Sequence, residues 1–465
     1  MKKFIETIKN IWNIEDLRNR ILLTLGLILI YRLGAYVVLP GVDPRGLEAL
    51  QAQGQSGLLG LINMFSGGAF SNASIFGLGI MPYITASIVI QLLGMAVPYF
   101  QKLQKEGESG RKKINQITRL LTVIIVAFQA PAYIANMLRT LGPVYSNKAG
   151  EALRTVPLHD YSPTFFFVLS VTILIAGTMF IMWLGEKITD KGVGNGISLI
   201  IMIGIIARLP MGLAAEFSSK VVEQTGGLVM FLFEMVFLVM VILVTILLVQ
   251  GTRRIPVQFA KRIVGNRQYG GVRQYIPLKV NAAGVMPIIF AQAIMMLPIS
   301  FVGYVSDNST LSAFARALTD FNGFWYNFIF FIMIMAFTYF YTAITINPTQ
   351  IAEDLKKNGG FVPGVKPGKR TAEFIDSVLS RITLPGSIFL GFVSIMPALV
   401  RLIGVNQQFA QFFGGTSLLI LVGVVLDTLQ QIESHLLMRH YDGLTKSGRI
   451  KGRSSNMFQS SGLHQ

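Results

Sequence analysis

The sequence contains no cysteine. Disulfides, thiol nucleophiles and thiolate metal sites are therefore excluded. Charge is also scarce: Asp, Glu, Lys and Arg make up 14% of the chain, against about 25% in a soluble domain. Acids are the scarcer sign, 23 against 40 basic residues. The candidates for ionisable residues at mid-span are few: Arg32, Glu234 and Asp427. Arg32 and Asp427 are expected either to pair or to reach toward an interface, and Glu234 to make a packing or interface contact. Pumps and ion-coupled transporters carry chains of titratable groups at mid-membrane, so that class is disfavoured, though an ion-coupled secondary transporter stays as the alternative function. No histidine lies in the core of an apolar run. His435 and His440 are five apart, which misses the i, i+4 spacing of a helical zinc motif. Gly368-Lys-Arg-Thr371 ends like a phosphate loop, but Pro363 stands at its first glycine and Arg370 at its Ser/Thr, so it is rejected. No catalytic residue, metal or cofactor is expected, and any ATP hydrolysis falls to a partner. The first 20 residues carry Lys2, Lys3, Lys9, Arg18 and Arg20 rather than the apolar run of a cleavable signal peptide.

What is present is apolar length. With 52% hydrophobic residues and a mean hydropathy of +0.57, the chain reads as an all-α polytopic membrane protein. Ten runs of about 20 apolar residues lie near 21–39, 76–97, 118–138, 163–184, 196–215, 227–250, 282–304, 324–346, 382–403 and 414–436. Of the 40 Lys and Arg, 31 fall in the N-terminus, the C-terminus and the connections after spans 2, 4, 6 and 8, against 8 in the alternate connections. By the positive-inside rule both termini are cytoplasmic. An even span count agrees. The chain divides into a half at 1–217, a half at 218–438 and a tail at 439–465. The two five-span halves then have opposite orientation, as in the inverted repeats of transport proteins, although no sequence repeat supports the symmetry.

Residues 57–96 hold more apolar sequence than one span uses. The piece 57–65 is too short to cross, and a small polar stretch, Ser66-Gly-Gly-Ala-Phe-Ser-Asn-Ala-Ser74, separates it from the next span. Gly-broken apolar pieces at membrane depth are tolerated only inside protein or against a water-filled cavity. The segment follows span 1, which places it on the outer face.

Two long connections stand out on the opposite face. The first, 251–280, has seven positive charges (Arg253, Arg254, Lys261, Arg262, Arg267, Arg273 and Lys279) and no acid. Alternating stretches around Gly265-Asn266 and Gly270-Gly271 suggest a projecting hairpin. The second, 347–381, carries Lys356, Lys357, Lys366, Lys369 and Arg370 among acids. Such loops suit docking to a large anionic body, whether an RNA backbone or an acidic protein face. Anionic headgroups suit the shorter basic connection 102–119.

Several segments carry a resemblance. They are Met64-Phe-Ser-Gly-Gly68, Gly79-Ile-Met-Pro-Tyr-Ile-Thr-Ala-Ser87, Lys105-Glu-Gly-Glu-Ser-Gly-Arg111, Trp183-Leu-Gly-Glu-Lys-Ile-Thr189, Gly192-Val-Gly-Asn-Gly-Ile-Ser198, Arg253-Arg-Ile-Pro-Val-Gln-Phe-Ala-Lys-Arg262, Pro277-Leu-Lys-Val-Asn281, Gly359-Gly-Phe-Val-Pro-Gly364 and Phe413-Gly-Gly-Thr-Ser-Leu-Leu-Ile420. In this order, over about residues 15 to 445, the chain resembles the SecY family of protein-export channels. The resemblance implies ten transmembrane helices in two pseudo-symmetric five-helix halves, plus a re-entrant plug helix over about 58–74 that includes Leu58, Leu61, Met64, Phe65, Gly67 and Gly68. It implies a pore ring of Ile80, Ile84, Ile197, Ile201, Ile289 and Ile420. It also implies a lateral gate between helices 2/3 and 7/8, where Gln91, Gln129 and Gln292 are polar. The implied partners are SecE, SecG, the SecA ATPase, the ribosome, the translocating preprotein with its signal peptide, and membrane lipids. SecA and the ribosome would dock at Arg253, Arg254, Lys261, Arg262, Arg267, Lys356, Lys357 and Lys366, in a bacterial plasma membrane.

The chemistry suits those roles. An apolar constriction gates by dewetting, because it offers an ion nothing in place of its hydration water. Isoleucine is β-branched and stiff at χ1, and the pairs 80/84 and 197/201 each project from one helical face. Two positions depart from the family pattern. Lys366 replaces an Arg in Pro363-Gly-Val-Lys-Pro-Gly368, and Phe259 stands where a Tyr is common. Lys cannot copy the planar fork of Arg.

Overall fold

The computed structural model of the chain describes residues 12, 14–42, 47, 50–51, 60, 63–140, 144–145, 152–153, 163–223, 226–259, 262–264, 267–269, 273–302 and 323–446. In chain order the helices are α1 (Glu15–Gly34), α2 (Met81–Ala96), α3 (Pro98–Lys105), α4 (Glu108–Thr140), α5 (Pro163–Lys191), α6 (Gly196–Ile206), α7 (Leu209–Phe217), α8 (Gly227–Gln250), α9 (Met286–Val302), α10 (Phe324–Thr345), α11 (Pro348–Lys357), α12 (Lys369–Leu402), α13 (Gln407–Ala410) and α14 (Gly415–Lys446). A helix occupies each of the ten segments read as spans. Among the described residues, seven helices are long and apolar enough to cross a membrane, or eight if the bent pair α2–α3 is one span. The protein is a multi-pass membrane protein.

Helix ends follow local chemistry. Asn195 caps α6 by accepting from the Ser198 N–H at 3.3 Å. Asn347 caps α11 by accepting from Thr349 and Gln350, with Pro348 at the first helical position, where its missing N–H costs nothing. Pro98 forces Val97 into an extended conformation, and α3 leaves α2 at 101°. The second span is shorter than expected. Residues 76–80 form turns, Gly79 has φ +57, and the helix begins only at Met81 before Pro82.

Long helices carry charge out of the apolar layer. A 34-residue α12 is about 50 Å long at 1.5 Å per residue, against roughly 30 Å of hydrocarbon. Its first turns, Lys369–Arg381, project. Exposed apolar side chains cover the outside of the bundle, as on α8, where Val229, Val236 and Leu247 are 81%, 70% and 71% exposed. Those faces fit lipid rather than water.

The expected hairpin is present and larger than the sequence suggests. Strand β3 (Thr252–Phe259) pairs antiparallel with β6 (Arg273–Lys279), from Thr252 opposite Lys279 to Gln258 opposite Arg273. A second hairpin, β4 (Arg262–Val264) with β5 (Arg267–Tyr269), extends from it. Strand β7 (Gly360–Phe361), from the other long connection, adds to the free edge of β3. Ile255, Val257 and Leu278 of the hairpin share a buried cluster with Val362, Ile375 and Leu379. The two basic connections are thus one packed platform. A short pair, β1 (Val144–Tyr145) with β2 (Ala152–Leu153), lies between α4 and α5.

Within the bundle, α4 packs on α2 and α5, and α5 packs on α1 and α6. On the other side, α10 packs on α9 and α12. Helix α6 meets α14, so the first five spans touch the last. The largest buried cluster lies at that meeting.

Candidate pore and its closure

The segment before α2 folds inward. Asn63–Phe65 form a helical turn, and turns follow through Ile80. Helix is thus confined to a short stretch of the described part, and Leu58 and Leu61 lie outside the described residues. The turns are built locally. Asn63 Oδ1 accepts from the Ser71 N–H at 3.1 Å, and Ser66 Oγ accepts from the Phe70 N–H at 3.1 Å. Gly67 and Gly68 have φ of +65 and +93, which a residue with a Cβ resists. At Gly67 there is a second reason: a Cβ would lie 2.9 Å from Gly204 Cα of α6. The segment ends by pairing with the chain after α1, where Leu39 donates to Ala73 O and Ile75 to Val37 O.

Side chains of two spans grip this segment. Tyr31 Oη donates to Ser66 O at 3.2 Å and Arg32 Nη1 to Gly67 O at 2.6 Å, both from α1. Tyr133 Oη of α4 donates to Phe70 O at 2.8 Å. Arg32 thus has its partners in Gly67 O and in Tyr36 Oη, which it reaches at 2.7 Å. Asp427 is exposed on α14, and the pairing of Arg32 with Asp427 does not occur.

Five of the six expected ring isoleucines meet here. Ile80, Ile201 and Ile420 are buried in one apolar cluster with Met64, Phe65 and Ala69, and Ile84 and Ile197 pack against it. They come from α2, its N-terminal turn, α6 and α14. Gly185 makes room for Ile197, whose Cγ1 would lie 2.9 Å from a Cβ there. Ile289 is half-buried on α9 and is not a member of that cluster. The site is an apolar layer of branched side chains with Met64, Phe65 and Ala69 packed on it.

The three glutamines differ from one another. Gln91 Nε2 donates to Ser87 Oγ one turn earlier on its own helix at 3.5 Å. Gln129 is exposed on α4. Gln292 is buried on α9 and lines a small cavity with Tyr326, Phe330, Ser394 and Ser417. On the platform, Arg253, Arg254, Lys356, Lys357 and Lys366 are exposed. Arg262 and Arg267 stand on β4 and β5, in register with Tyr269 and Val264. Lys261 lies outside the described residues.

One arrangement escaped the sequence reading. Lys220, which lies between two apolar runs of the sequence, is buried in a π-helical turn after α7. Its Nζ lies 3.3 Å from Glu234 Oε1 and 3.8 Å from Glu216 Oε1, and donates to Gly404 O at 2.8 Å. Glu216 Oε2 accepts from the Asn406 N–H at 2.7 Å. The i, i+4 spacing of Glu216 and Lys220 was the only available signal. Tyr31 and Tyr133 were also missed, since an aromatic in a span carries no mark of what its hydroxyl meets.

Comparison with known proteins gives a consistent result. The SecY family model matches residues 74–429. The protein translocase subunit SecY of Streptomyces scabiei is 44% identical over 439 residues, covering 93% of this chain and 97% of the relative. That of Thermotoga maritima is 40% identical over 461 residues, covering 96% and 99%. Among solved structures, a protein-conducting channel matches with TM-score 0.56 at 16% identity, covering 93% of this chain and 94% of the other. Sec61 in a canine ribosome–channel complex from the endoplasmic reticulum matches with TM-score 0.52 at 15% identity and the same coverage. At those identities the likeness to the solved structures is one of fold.

Proposed function

The chain belongs to the SecY family, and on that premise we propose that it is the protein-conducting subunit of a Sec translocon. Unfolded preproteins cross the plasma membrane through it, and hydrophobic segments leave sideways into lipid between spans 2/3 and 7/8, past Gln91, Gln129 and Gln292. The role is passage rather than catalysis. Both termini lie in the cytoplasm, as the excess of Lys and Arg in alternate connections supports.

The observation that carries the reading is the shared apolar cluster of Ile80, Ile84, Ile197, Ile201 and Ile420 with Met64 and Phe65. These isoleucines, with Ile289, form the ring that holds back ions, and residues 58–74 form the plug that covers it. A dewetted ring tolerates any passing sequence because it makes no specific hydrogen bonds. The platform of β3, β6, β7 and α11 receives SecA and the ribosome through Arg253, Arg254, Lys261, Arg262, Arg267, Lys356, Lys357 and Lys366. SecE and SecG complete the membrane complex.

The test is conductance across planar bilayers. Ile420→Asn places an amide in the dry layer and should raise resting ion conductance of the reconstituted complex well above the parent. Equal conductance in parent and variant removes the isoleucine ring from the account.

A further inference from the structure

The turn at 63–74 is held from outside through its main chain. Three donors converge on it: Tyr31 Oη on Ser66 O at 3.2 Å, Arg32 Nη1 on Gly67 O at 2.6 Å, and Tyr133 Oη on Phe70 O at 2.8 Å. We propose that these side chains form a latch on the plug, with Arg32 as the positioning residue that sets how often the plug leaves its seat. The proposal rests on the reading of 58–74 as the plug.

The three members differ in a way that singles out Arg32. Tyr31 is 1% and Tyr133 5% exposed, and each is also tied in by its ring. Tyr31 stacks on Phe76 at 6.1 Å, and Tyr133 tilts on Phe70 at 4.8 Å. The Tyr31 ring is therefore held by a residue outside the turn, whereas the Tyr133 ring packs on the turn itself through Phe70. Arg32 is half-buried, and its guanidinium lies 4.8 Å from the centre of the Tyr36 ring. The bond is charge-assisted, the strong kind. Among the described residues no backbone N–H reaches Gly67 O, so Arg32 is what satisfies that carbonyl in an apolar setting.

The geometry also explains the choice of acceptor. Gly67 is bare because α6 passes against it at Gly204, so this part of the segment has no side chain to hold. Only the carbonyl is available, and a guanidinium reaching from α1 supplies the donor. The contact can break without leaving a cost on the Arg32 side, because a half-exposed guanidinium exchanges the carbonyl for water.

Because the chain has no cysteine, one introduced thiol reports on the seat. Ala69 is 0% exposed and lies in the cluster under the turn, so Ala69→Cys should label slowly with a membrane-impermeant thiol reagent applied from outside. In the reconstituted complex at rest, Arg32→Gln added to Ala69→Cys should raise the labelling rate about tenfold, the weight of one charge-assisted hydrogen bond. Arg32→Lys keeps the charge and one donor and should fall between parent and Gln. If the Gln variant does not accumulate in the membrane, Tyr31→Phe removes only the hydroxyl on Ser66 O and should raise the rate about threefold. A rate unchanged by the substitution overturns the latch, as does an equal rise in the Lys and Gln variants. Trapping a preprotein in the parent complex separates the two readings. Labelling of Ala69→Cys that stays slow with the channel occupied overturns the plug itself.

Discussion

Removing the Lys220 ammonium should destabilise the protein more than removing any surface charge. Lys220, Glu216 and Glu234 are 3%, 0% and 3% exposed, so the lysine is the buried counter-charge of two carboxylates at 3.8 and 3.3 Å. Lys220→Met keeps the volume of the stem but strands both acids, and it also takes the donor from Gly404 O at 2.8 Å. Breaking a buried pair by deleting one partner costs about 3–5 kcal/mol. The comparison within the same chain is Arg119–Glu186, a two-pronged pair at 2.9 and 2.6 Å. There the side chains are 48% and 24% exposed, and an exposed pair is worth about 0–1 kcal/mol. Thermal unfolding in detergent, followed by helical circular dichroism, separates the two. Lys220→Met should lower the midpoint by about 5 °C or more, and Arg119→Met by about 1 °C or less. The triple variant Glu216→Gln, Lys220→Met, Glu234→Gln should recover most of the loss, because no buried charge then lacks a partner. A midpoint for Lys220→Met equal to that of Arg119→Met refutes the assignment of the trio as a buried ion cluster.

Two further outcomes follow from single contacts. Gly67→Ala adds a Cβ 2.9 Å from Gly204 Cα at φ +65, so the turn should be pushed off α6, and resting conductance in planar bilayers should rise although no polar group is lost. Arg253→Glu with Arg254→Glu reverses two exposed charges on an edge of the platform and should weaken SecA and ribosome binding, with the loss largest at low salt, where the screening length is long; binding titrations at two ionic strengths measure it.

Much of the architecture was legible because membrane physics constrains it so tightly. Apolar length placed helices in all ten segments, and the Gly-broken sequence marked the non-spanning segment described over 63–74. The hairpin at 251–280 was legible from alternation around its glycines. What the sequence hid was pairing at a distance. β7 joining β3 needs only two residues, Gln258 and Phe259 opposite Phe361 and Gly360, too few to show a pattern. The start of α2 at Met81 rather than near Phe76 reflects the turns that Gly77 and Gly79 permit, which hydropathy does not register. Arg32 was legible as a charge, with a pair to Asp427 or an interface as its expected surroundings, but its Gly67 O partner was not, because a carbonyl acceptor is invisible in a sequence.

The placement of polar groups separates what must move from what must not. The layer of Ile80, Ile201 and Ile420, proposed as the ring, is built of buried branched apolar side chains. Arg32, on α1, reaches the backbone of Gly67 in the segment packed on that layer. The Glu216–Lys220–Glu234 trio sits where the link between α7 and α8 meets the corner between α12 and α13. Its three groups are all buried, whereas Arg32 is half-buried. A buried trio cannot exchange its partners for water without a penalty of several kcal/mol, so it fastens that link permanently to the second set of helices. A single half-buried guanidinium can make that exchange, so it suits a contact broken once per passage. Burial, not charge, thus distinguishes the fastener from the latch.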